Sequence, residues 1–531
     1  MTQLMAPSAP VWLEETCERL RNNDPSFCTV DLTHPRMDDV GAKIFARAME
    51  DNTVVETLIL SCYAMVDDGA YAVASIVEKS RVLRRVQLKD MRNVREISTF
   101  FERLANNQAL LEVSLRHCTI CPSAASSVAR FLRKHPKVQE LRVTDCSFTR
   151  GAFAILCQEG FQHSNLLRLY LVNDELRGEF SANLLVEMLP ETTIRELVLS
   201  ENELGDAGVT VLARGILQNR NTLNSLNLRS NSITETGAVA LQGLLAGCSK
   251  LVALNVSNND LGDTGVSALA RGLENTSSSL QRLDLWSTGL QKIGATAVAA
   301  MLKVNNHLVE LNLSFNDIGE TGASNISKCL RWNKTLKRLN LRRNHVGDTG
   351  AYLVAKHVPF MLGLKELVLS KNNISTDGAT ALLHGLRSNV ELEYLHVDEK
   401  LSGLITNEIM NYIRLNKAGR RIFRAHNTVP DALWSNVYGR ISGDVETVCV
   451  VSGCSLFRFL APCFGWVSPN PRLVLQLYQF LTEKPDVIPS GGSSIQLVSC
   501  VEKGERGGPN VDSVFDSMSS PKRKKQKWRD T

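Results

Sequence analysis

Two cysteines with the spacing of a metal or redox site lie in the first quarter of the chain, at Cys118 and Cys121. A Cys-x-x-Cys pair can supply half of a zinc site or alternate between dithiol and disulfide. A zinc site needs two further ligands, but the chain has no second Cys-x-x-Cys pair, and its ten histidines show no paired ligand spacing. Both cysteines are therefore predicted to be part of the core, and neither a metal site nor a cofactor is expected.

The sequence also lacks the motifs of common enzymes. It contains no Gly-x-x-x-x-Gly-Lys-Ser/Thr phosphate loop, no His-Glu-x-x-His zinc motif and no Gly-x-Ser-x-Gly nucleophile elbow. Its composition, 44% hydrophobic and 22% charged, is that of a folded protein. The net charge of +5 equals the charge of residues 519–531, which hold six basic and one acidic side chain. The remaining chain is neutral, so no specific nucleic-acid partner is expected. Because the motifs are missing, no enzymatic activity is expected either.

A repeat of about 28 residues supplies the elements that must carry any site. The segment LNSLNLRSN at Leu223 recurs as LVALNVSNN at Leu251 and LKRLNLRRN at Leu336. The alternating leucines predict a short strand, and the apolar spacing that follows predicts a helix. Neither element can bury its apolar face alone, so the units are predicted to stack. The fourteen units begin at Phe27, Val55, Leu83, Leu110, Val138, Leu166, Ile194, Leu223, Leu251, Leu280, Leu308, Leu336, Leu364 and Leu392.

Residues that recur at two further positions of the repeat are interpreted as structural. An Asn at the ninth position, as in Asn231, is predicted to bond backbone groups where the chain leaves the strand, and Cys118 and Cys146 stand there in earlier units. A Gly fourteen residues after the unit start, as in Gly265, indicates close packing or a special backbone angle.

Side chains at the third, fifth and seventh positions of each unit must point away from the core, because the leucines between them point inward. They are predicted to line a concave surface. Basic and acidic residues are mixed there, which fits a protein partner better than a phosphate backbone. Trp286 among several arginines has the composition of an interface hot spot. The predicted partner-binding residues are Arg229, Arg282, Asp284, Trp286, Asn312, Arg338, Asn340 and Arg342.

The pattern Leu-x-x-Leu-x-Leu-x-x-Asn at this period resembles the leucine-rich repeat of the ribonuclease-inhibitor-like type, as found in Ran GTPase-activating proteins and NOD-like receptors. The resemblance implies an α/β solenoid of about fourteen repeats, shaped as a curved horseshoe with a parallel sheet on the concave face and helices on the convex face. It also implies a non-enzymatic scaffold that binds a protein.

An alternative function comes from the first units. VDLTHPRMDDVGAKIFARAMEDNTVVETLIL and LRRVQLKDMRNVREIS resemble the opening of the Ran GTPase-activating proteins. In that family a loop arginine promotes GTP hydrolysis by the partner, and the resemblance places it at Arg95, with Arg92 close by. The alternative is therefore activation of a small Ran-type GTPase.

The rest of the chain is divided by composition. We predict an N-terminal cap (1–26), a repeat solenoid (27–419), a C-terminal cap with a helical segment (420–485) and a disordered tail with a basic cluster (486–531). The apolar segment 447–467 is predicted to pack on the solenoid, because Arg458 at its centre would cost about 3 kcal/mol in a bilayer. A membrane partner is not expected.

The tail and the first residues bear on location. The first twenty residues lack a basic segment followed by an apolar one, so no secretory signal is expected. The basic cluster is similar to a nuclear localisation signal. The chain is expected in the cytoplasm, the nucleus or both. The predicted localisation residues are Lys522, Arg523, Lys524, Lys525 and Lys527.

Overall fold

The computed structural model describes residues 11–33, 37–65, 67–91, 94–149, 151–218, 222–274, 278–398 and 403–417. The chain forms two compact units, one of Met1–Gly385 with Tyr394–Ile405 and one of Leu386–Glu393 with Thr406–Thr531. Strands and helices alternate in the first unit. The strands are β1 Thr29–Leu32, β2 Thr57–Ser61, β3 Arg85–Lys89, β4 Glu112–Arg116, β5 Thr119–Ile120, β6 Glu140–Thr144, β7 Ser147–Phe148, β8 Arg168–Val172, β9 Glu196–Val198, β10 Ser225–Asn227, β11 Ala253–Asn255, β12 Arg282–Asp284, β13 Glu310–Asn312, β14 Arg338–Asn340, β15 Glu366–Val368 and β16 Tyr394–His396.

The helices follow the strands, as the repeat predicts. They are α1 Val11–Arg21, α2 Asp39–Met49, α3 Asp67–Lys79, α4 Val94–Leu104, α5 Pro122–Lys134, α6 Ala152–Ile155, α7 Gly178–Met188, α8 Gly205–Gln218, α9 Glu235–Gly247, α10 Gly262–Leu273, α11 Lys292–Val304, α12 Gly319–Cys329, α13 Gly347–Ala355, α14 Thr376–Ser388 and α15 Gly403–Lys417. A π-helical turn at Leu156–Phe161 continues α6, and a 3-10 turn at Val358–Phe360 follows α13.

Fourteen of the described strands form one parallel sheet in chain order, and β5 and β7 form a separate two-stranded ribbon. The register aligns equivalent positions of neighbouring units, so Leu226 in β10 faces Leu197 and Leu254. Leu226 is buried between the half-buried Ser225 and Asn227, which is the alternation that the sequence predicts. The predicted fold, an α/β repeat solenoid with one strand for each of fourteen units, is therefore confirmed.

The asparagines at the ninth position connect successive units. The Nδ2 group of Asn231 donates to the carbonyls of Leu199 (2.8 Å) and Arg229 (3.1 Å). The backbone N–H of Asn231 in turn donates to Asn259 Oδ1 at 2.8 Å. Because each amide satisfies backbone groups of its own and of the preceding unit, the predicted role of these asparagines is confirmed.

The recurring glycines allow close packing between units. A Cβ on Gly265 would lie 3.0 Å from Ala238 Cβ, and one on Gly208 would lie 2.8 Å from the carbonyl oxygen of Gly178. Neither glycine has a positive φ. Of the two explanations that the sequence offers for this column, close packing is the one that the structure supports.

The predicted core position of the two cysteines is right for Cys118 and wrong for Cys121. Cys118 is buried at the ninth position, where its Sγ lies 3.3 Å from the carbonyl oxygen of Arg116. Cys121 is half-buried at the residue before α5, and its Sγ lies 3.1 Å from Ser123 Oγ. It lies outside the core because it caps the start of α5 and does not occupy the buried ninth position. No group of histidine, cysteine or acidic side chains among the described residues could hold a metal ion.

In the second unit, the described residues include the end of α14 and most of α15. Asn416 Nδ2 donates to the carbonyls of Leu392 (2.8 Å) and Asn389 (3.2 Å). Arg387 pairs with Glu408 at 3.2 Å. The buried Asn416 therefore anchors α15 to the loop that precedes β16.

Candidate binding face

The open face is the side of the sheet formed by the third, fifth and seventh positions of each unit, which alternate with the buried leucines. All eight predicted partner-binding residues lie on it, on or just after strands β10 to β14. Arg282 and Arg338 are exposed, and the other six are half-buried. A groove of about 430 Å³ on this face is lined by residues that include Arg282, Asp284, Asn312, Arg338 and Asn340.

An arginine–aromatic cluster lies at the end of these strands and consists of Arg229, Trp286, Phe315, Arg342 and Arg343. The guanidinium carbon of Arg229 lies 5.5 Å from the Trp286 ring centroid. Phe315 meets Trp286 edge to face, with centroids 5.4 Å apart. Arg343 and Arg342 lie over Phe315 at 4.8 and 5.9 Å. The cations of this cluster therefore contact aromatic rings, an arrangement that cation–π attraction favours.

Two members of this cluster, Phe315 and Arg343, were missed by sequence reasoning because they stand at the eighth position. Phe315 has φ +59° and Arg343 has φ +52°, in the left-handed region that bulky residues rarely adopt. The sequence does contain a signal, since every other described left-handed residue at this position is polar and only Phe315 is apolar. Those residues are Asp90, His117, Asp145, Asn173, Glu201, Ser230, Asn258, Ser287, Arg343 and Lys371.

Three of the eight predicted residues shape the backbone. Asp284 Oδ1 accepts hydrogen bonds from the Trp286 N–H (2.9 Å) and from Asn312 Nδ2 (3.0 Å), and burial raises the pKa of the Asp284 carboxyl. Asn340 Oδ1 likewise accepts from the Arg342 N–H at 3.0 Å. Asp284, Asn312 and Asn340 therefore hold the turns that follow the strands, and two of these turns present Trp286 and Arg342.

The four arginines among the predicted residues differ in whether an acidic side chain pairs with them. Arg338 pairs with Glu310, and Arg229 lies 3.6 Å from Glu201. Arg282 and Arg342 form no ion pair with any residue that the structure describes. The Nε atoms of Arg229 and Arg342 are buried, and neither finds a hydrogen-bond acceptor in the described part of the chain. Arg282 and Arg342 are therefore the two whose charge an acidic group of a partner could neutralise.

The first half of the open face is different, because its arginines form an internal network. The buried carboxylate of Glu140 pairs with Arg142 and with Arg168, the latter at 2.5 Å. Arg142 also contacts Glu112 at 3.3 Å and lies 3.9 Å from the Tyr170 ring centroid. These cations are neutralised within the fold, so the arginine–aromatic cluster is the better candidate for binding.

The remaining predicted sites lie largely outside the described residues. Arg95 is the second residue of α4, but its side chain is not among those described, and Arg92 is not described at all. The localisation residues and the apolar segment 447–467 also lie outside the described part. Among the described helices, none has the length and apolar character to cross a membrane.

Comparison with known proteins gives the same picture as the repeat. The family model described as Leucine Rich repeat matches residues 192–213, 220–241, 247–270, 304–327, 333–355 and 364–383. A ribonuclease inhibitor from Sus scrofa is 28% identical over 314 residues, which are 57% of this chain and 68% of that protein. The NACHT, LRR and PYD domains-containing protein 12 of Homo sapiens is 33% identical over 218 residues, 40% of this chain and 20% of that protein.

Among solved structures, an internalin (inlF) from Listeria monocytogenes is similar with a TM-score of 0.38 at 18% identity, covering 71% of this chain and 88% of that chain.

The chain spans about two thirds of the ribonuclease inhibitor but only about one fifth of the NACHT protein. The matched repeats, the relatives and the parallel sheet of one strand per unit together show that the chain is a leucine-rich repeat protein of the ribonuclease-inhibitor-like type.

Proposed function

We propose that this chain is a non-enzymatic scaffold that binds a protein partner on the open face. The observation that carries the proposal is the arginine–aromatic cluster, in which Trp286 and Phe315 stand half-exposed among Arg229, Arg342 and Arg343. Tryptophan and arginine are the residues most enriched among those that dominate protein–protein binding energies. Hydrogen bonds fix the backbone of Trp286, Phe315 and Arg342 to the turns that follow the strands, so little backbone entropy is lost when a partner binds.

The charges favour a protein over a uniformly charged polymer. The groove presents Arg282 beside Asp284 and Glu310 beside Arg338, so cations and anions alternate along it. A partner would match this pattern with side chains of both signs. The relative from Sus scrofa is named for inhibiting ribonuclease, which is itself a protein. That similarity supports a protein partner for this chain without identifying it.

Changing Trp286→Ala together with Arg342→Ala is expected to lower affinity for the partner roughly thirty-fold or more, because a single hot-spot residue is worth about 2 kcal/mol and both have that character. The partner is first captured with the unsubstituted chain, and its affinity is then measured by calorimetry. Neither side chain belongs to the leucine core, so the melting temperature should stay close to that of the natural chain.

The matched control changes Phe180→Ala and Lys292→Ala, which are exposed on helices α7 and α11. This variant should bind normally. Binding that survives the Trp286/Arg342 change but disappears when residues 420–485 are deleted would place the contact in the predicted C-terminal cap and contradict the proposal.

Activation of a Ran-type GTPase through Arg95 is the alternative function. Mixing the chain with a GTP-loaded Ran-type GTPase decides between the two. Acceleration of hydrolysis that Arg95→Ala abolishes would support activation, and no acceleration would leave the scaffold as the function.

We also propose that the basic tail directs the chain to the nucleus. Fusing residues 515–531 to a large fluorescent reporter is expected to make the reporter accumulate in nuclei, because an import receptor reads extended Lys and Arg side chains. Lys524→Ala with Lys525→Ala should abolish the accumulation. A reporter that stays evenly in the cytoplasm with the natural tail would end this proposal.

A further inference from the structure

A second candidate surface lies at one edge of the solenoid, where the chain passes from the end of a helix to the next strand. We call it the lysine–aromatic edge and define it by residues 303–309, 328–337 and 356–365 of three consecutive units. Val304, Trp332 and Phe360 occupy equivalent positions of the three units and are spaced 28 residues apart. Their exposed fractions are 60%, 50% and 44%, and that of Leu362 is 47%. Exposed apolar side chains that recur in one row mark an interaction surface.

The charged side chains of these three segments are all positive. They contain seven basic residues and no acidic one: Lys303, Lys328, Arg331, Lys334, Lys337, Lys356 and Lys365. Burial, and then the charges of Lys328, Lys356 and Arg331, lower the pKa of His357 within the edge. The three segments of the edge therefore combine seven basic side chains with exposed apolar groups.

The cations and the rings are in contact. Lys303 Nζ lies 5.5 Å from the Trp332 ring centroid, and the guanidinium carbon of Arg331 lies 4.7 Å from that of Phe360. Positive groups and exposed aromatic rings therefore lie side by side on this edge. A ligand that contacts the rings must also meet the cations.

The choice of cation distinguishes this edge from the open face. Six of its seven basic residues are lysines, whereas the cations of the arginine–aromatic cluster are arginines. Lysine is depleted at protein–protein interfaces, where arginine is enriched. Lysine clusters beside aromatic and aliphatic side chains are instead suited to anionic lipid headgroups, with the apolar groups entering the boundary of the acyl region.

We propose that the lysine–aromatic edge binds the surface of an anionic phospholipid bilayer. The lysines and Arg331 attract the headgroups, while Trp332, Phe360, Val304 and Leu362 enter the interfacial region. The sequence predicts no membrane partner, because its candidate membrane segment, 447–467, carries Arg458 at its centre. The lysine–aromatic edge is not visible as one segment of sequence, since its residues come from three separate segments in consecutive units.

The test is co-sedimentation of the full chain with vesicles of phosphatidylcholine, with and without phosphatidylserine. The basic tail would itself attract anionic lipid, so the measurement is repeated with the five predicted localisation residues changed to Ala. Both forms are expected to sediment with the phosphatidylserine vesicles and to remain in solution with phosphatidylcholine alone.

Two pairs of substitutions in the tail-changed chain test the residues. Trp332→Ser with Phe360→Ser, and Lys328→Glu with Lys334→Glu, should each lower the partition coefficient roughly ten-fold or more. The controls lie elsewhere on the surface: Phe180→Ser for the apolar pair, and Lys134→Glu with Lys292→Glu for the charge pair. They should bind as the parent does, and circular dichroism should show all variants folded.

The proposal is overturned if the tail-changed chain does not bind phosphatidylserine vesicles, or if the edge variants bind as strongly as their controls. Binding to polyglutamate without binding to the vesicles would assign the edge to an acidic protein segment and overturn it equally. These outcomes do not involve Trp286 or Arg342, so they leave the proposed function of the open face untouched.

Discussion

Replacing Asp174 with Asn is expected to raise the free energy of unfolding at pH 7 by about 2 to 4 kcal/mol. Asp174 is 1% exposed and stands at the ninth position of its unit, where six later units have Asn. Its Oδ1 accepts a hydrogen bond from the Cys146 N–H at 2.8 Å, but its Oδ2 is buried without a hydrogen-bond partner in the described structure. In Asn231 the equivalent group is an Nδ2 that donates to two carbonyls. The Asn substitution should supply amide donors there without the bound proton that the buried Asp174 requires.

The pH dependence follows from the shifted ionisation of Asp174. Burial, and then the neighbouring Cys146, raise the pKa of Asp174 from 3.8 to about 9. Between these two values the folded chain holds a proton that the unfolded chain has released. Stability therefore falls as pH rises through this interval, by up to about 1.4 kcal/mol per pH unit. The Asn variant should lack this slope, so its advantage should grow with pH.

Urea unfolding between pH 5 and pH 8 measures this difference. The reciprocal change Asn231→Asp serves as the matched variant, because it places a carboxylate oxygen beside the carbonyls of Leu199 and Arg229. It should lose stability, and increasingly so as pH rises. A natural chain whose stability does not fall with pH over this range, or an Asp174→Asn variant of unchanged stability, would contradict the interpretation.

Truncating Leu311 to Ala is expected to cost about 2 to 5 kcal/mol, as it commonly does for a buried leucine. Leu311 is buried in β13 and faces Leu283 and Leu339 in the neighbouring strands. The cavity would open at the boundary of two units, and stacked repeats depend on contacts with their neighbours. The loss should therefore appear as a lower melting temperature together with reduced protection of amides in the adjacent units.

Val239→Ala is the control for this truncation, because Val239 is an exposed aliphatic residue on the outer surface of α9. It should change stability by less than about 0.5 kcal/mol. A Leu311→Ala variant that melts at the natural temperature would mean that the alternation of core and open face along β13 is assigned wrongly.

The fold was predictable because the repeat contains the same information many times. The leucines at positions such as Leu226 and Leu254 fix both the strand and its register, and the asparagine at Asn231 fixes how the chain leaves the sheet. Residues that depart from the average unit were harder to predict. Cys121 is predicted in the core because no second pair of ligands accompanies the Cys-x-x-Cys, although its position falls at the start of a helix.

The binding residues were predictable only in part. Alternation along each strand predicts which side chains reach the open face, but not which of them already have partners. Arg142 and Arg342 occupy this face in the same way, yet Arg142 is held by Glu140 and Glu112 while Arg342 lies over Phe315. Ion pairs between units depend on side-chain geometry across about 28 residues of sequence. Phe315 was missed for another reason. Its backbone is left-handed, so the eighth position does not follow the alternation of buried and open-face residues along the strand.

Photo-crosslinking from two positions tests most directly whether the open face is the binding surface. A benzophenone amino acid replaces Arg282, which is exposed on the open face, or Lys292, which is exposed on helix α11. The scaffold account predicts that the chain substituted at Arg282 forms an adduct with one defined protein, that Trp286→Ala with Arg342→Ala abolishes it, and that the chain substituted at Lys292 forms none. An adduct from Lys292 and none from Arg282 would contradict it.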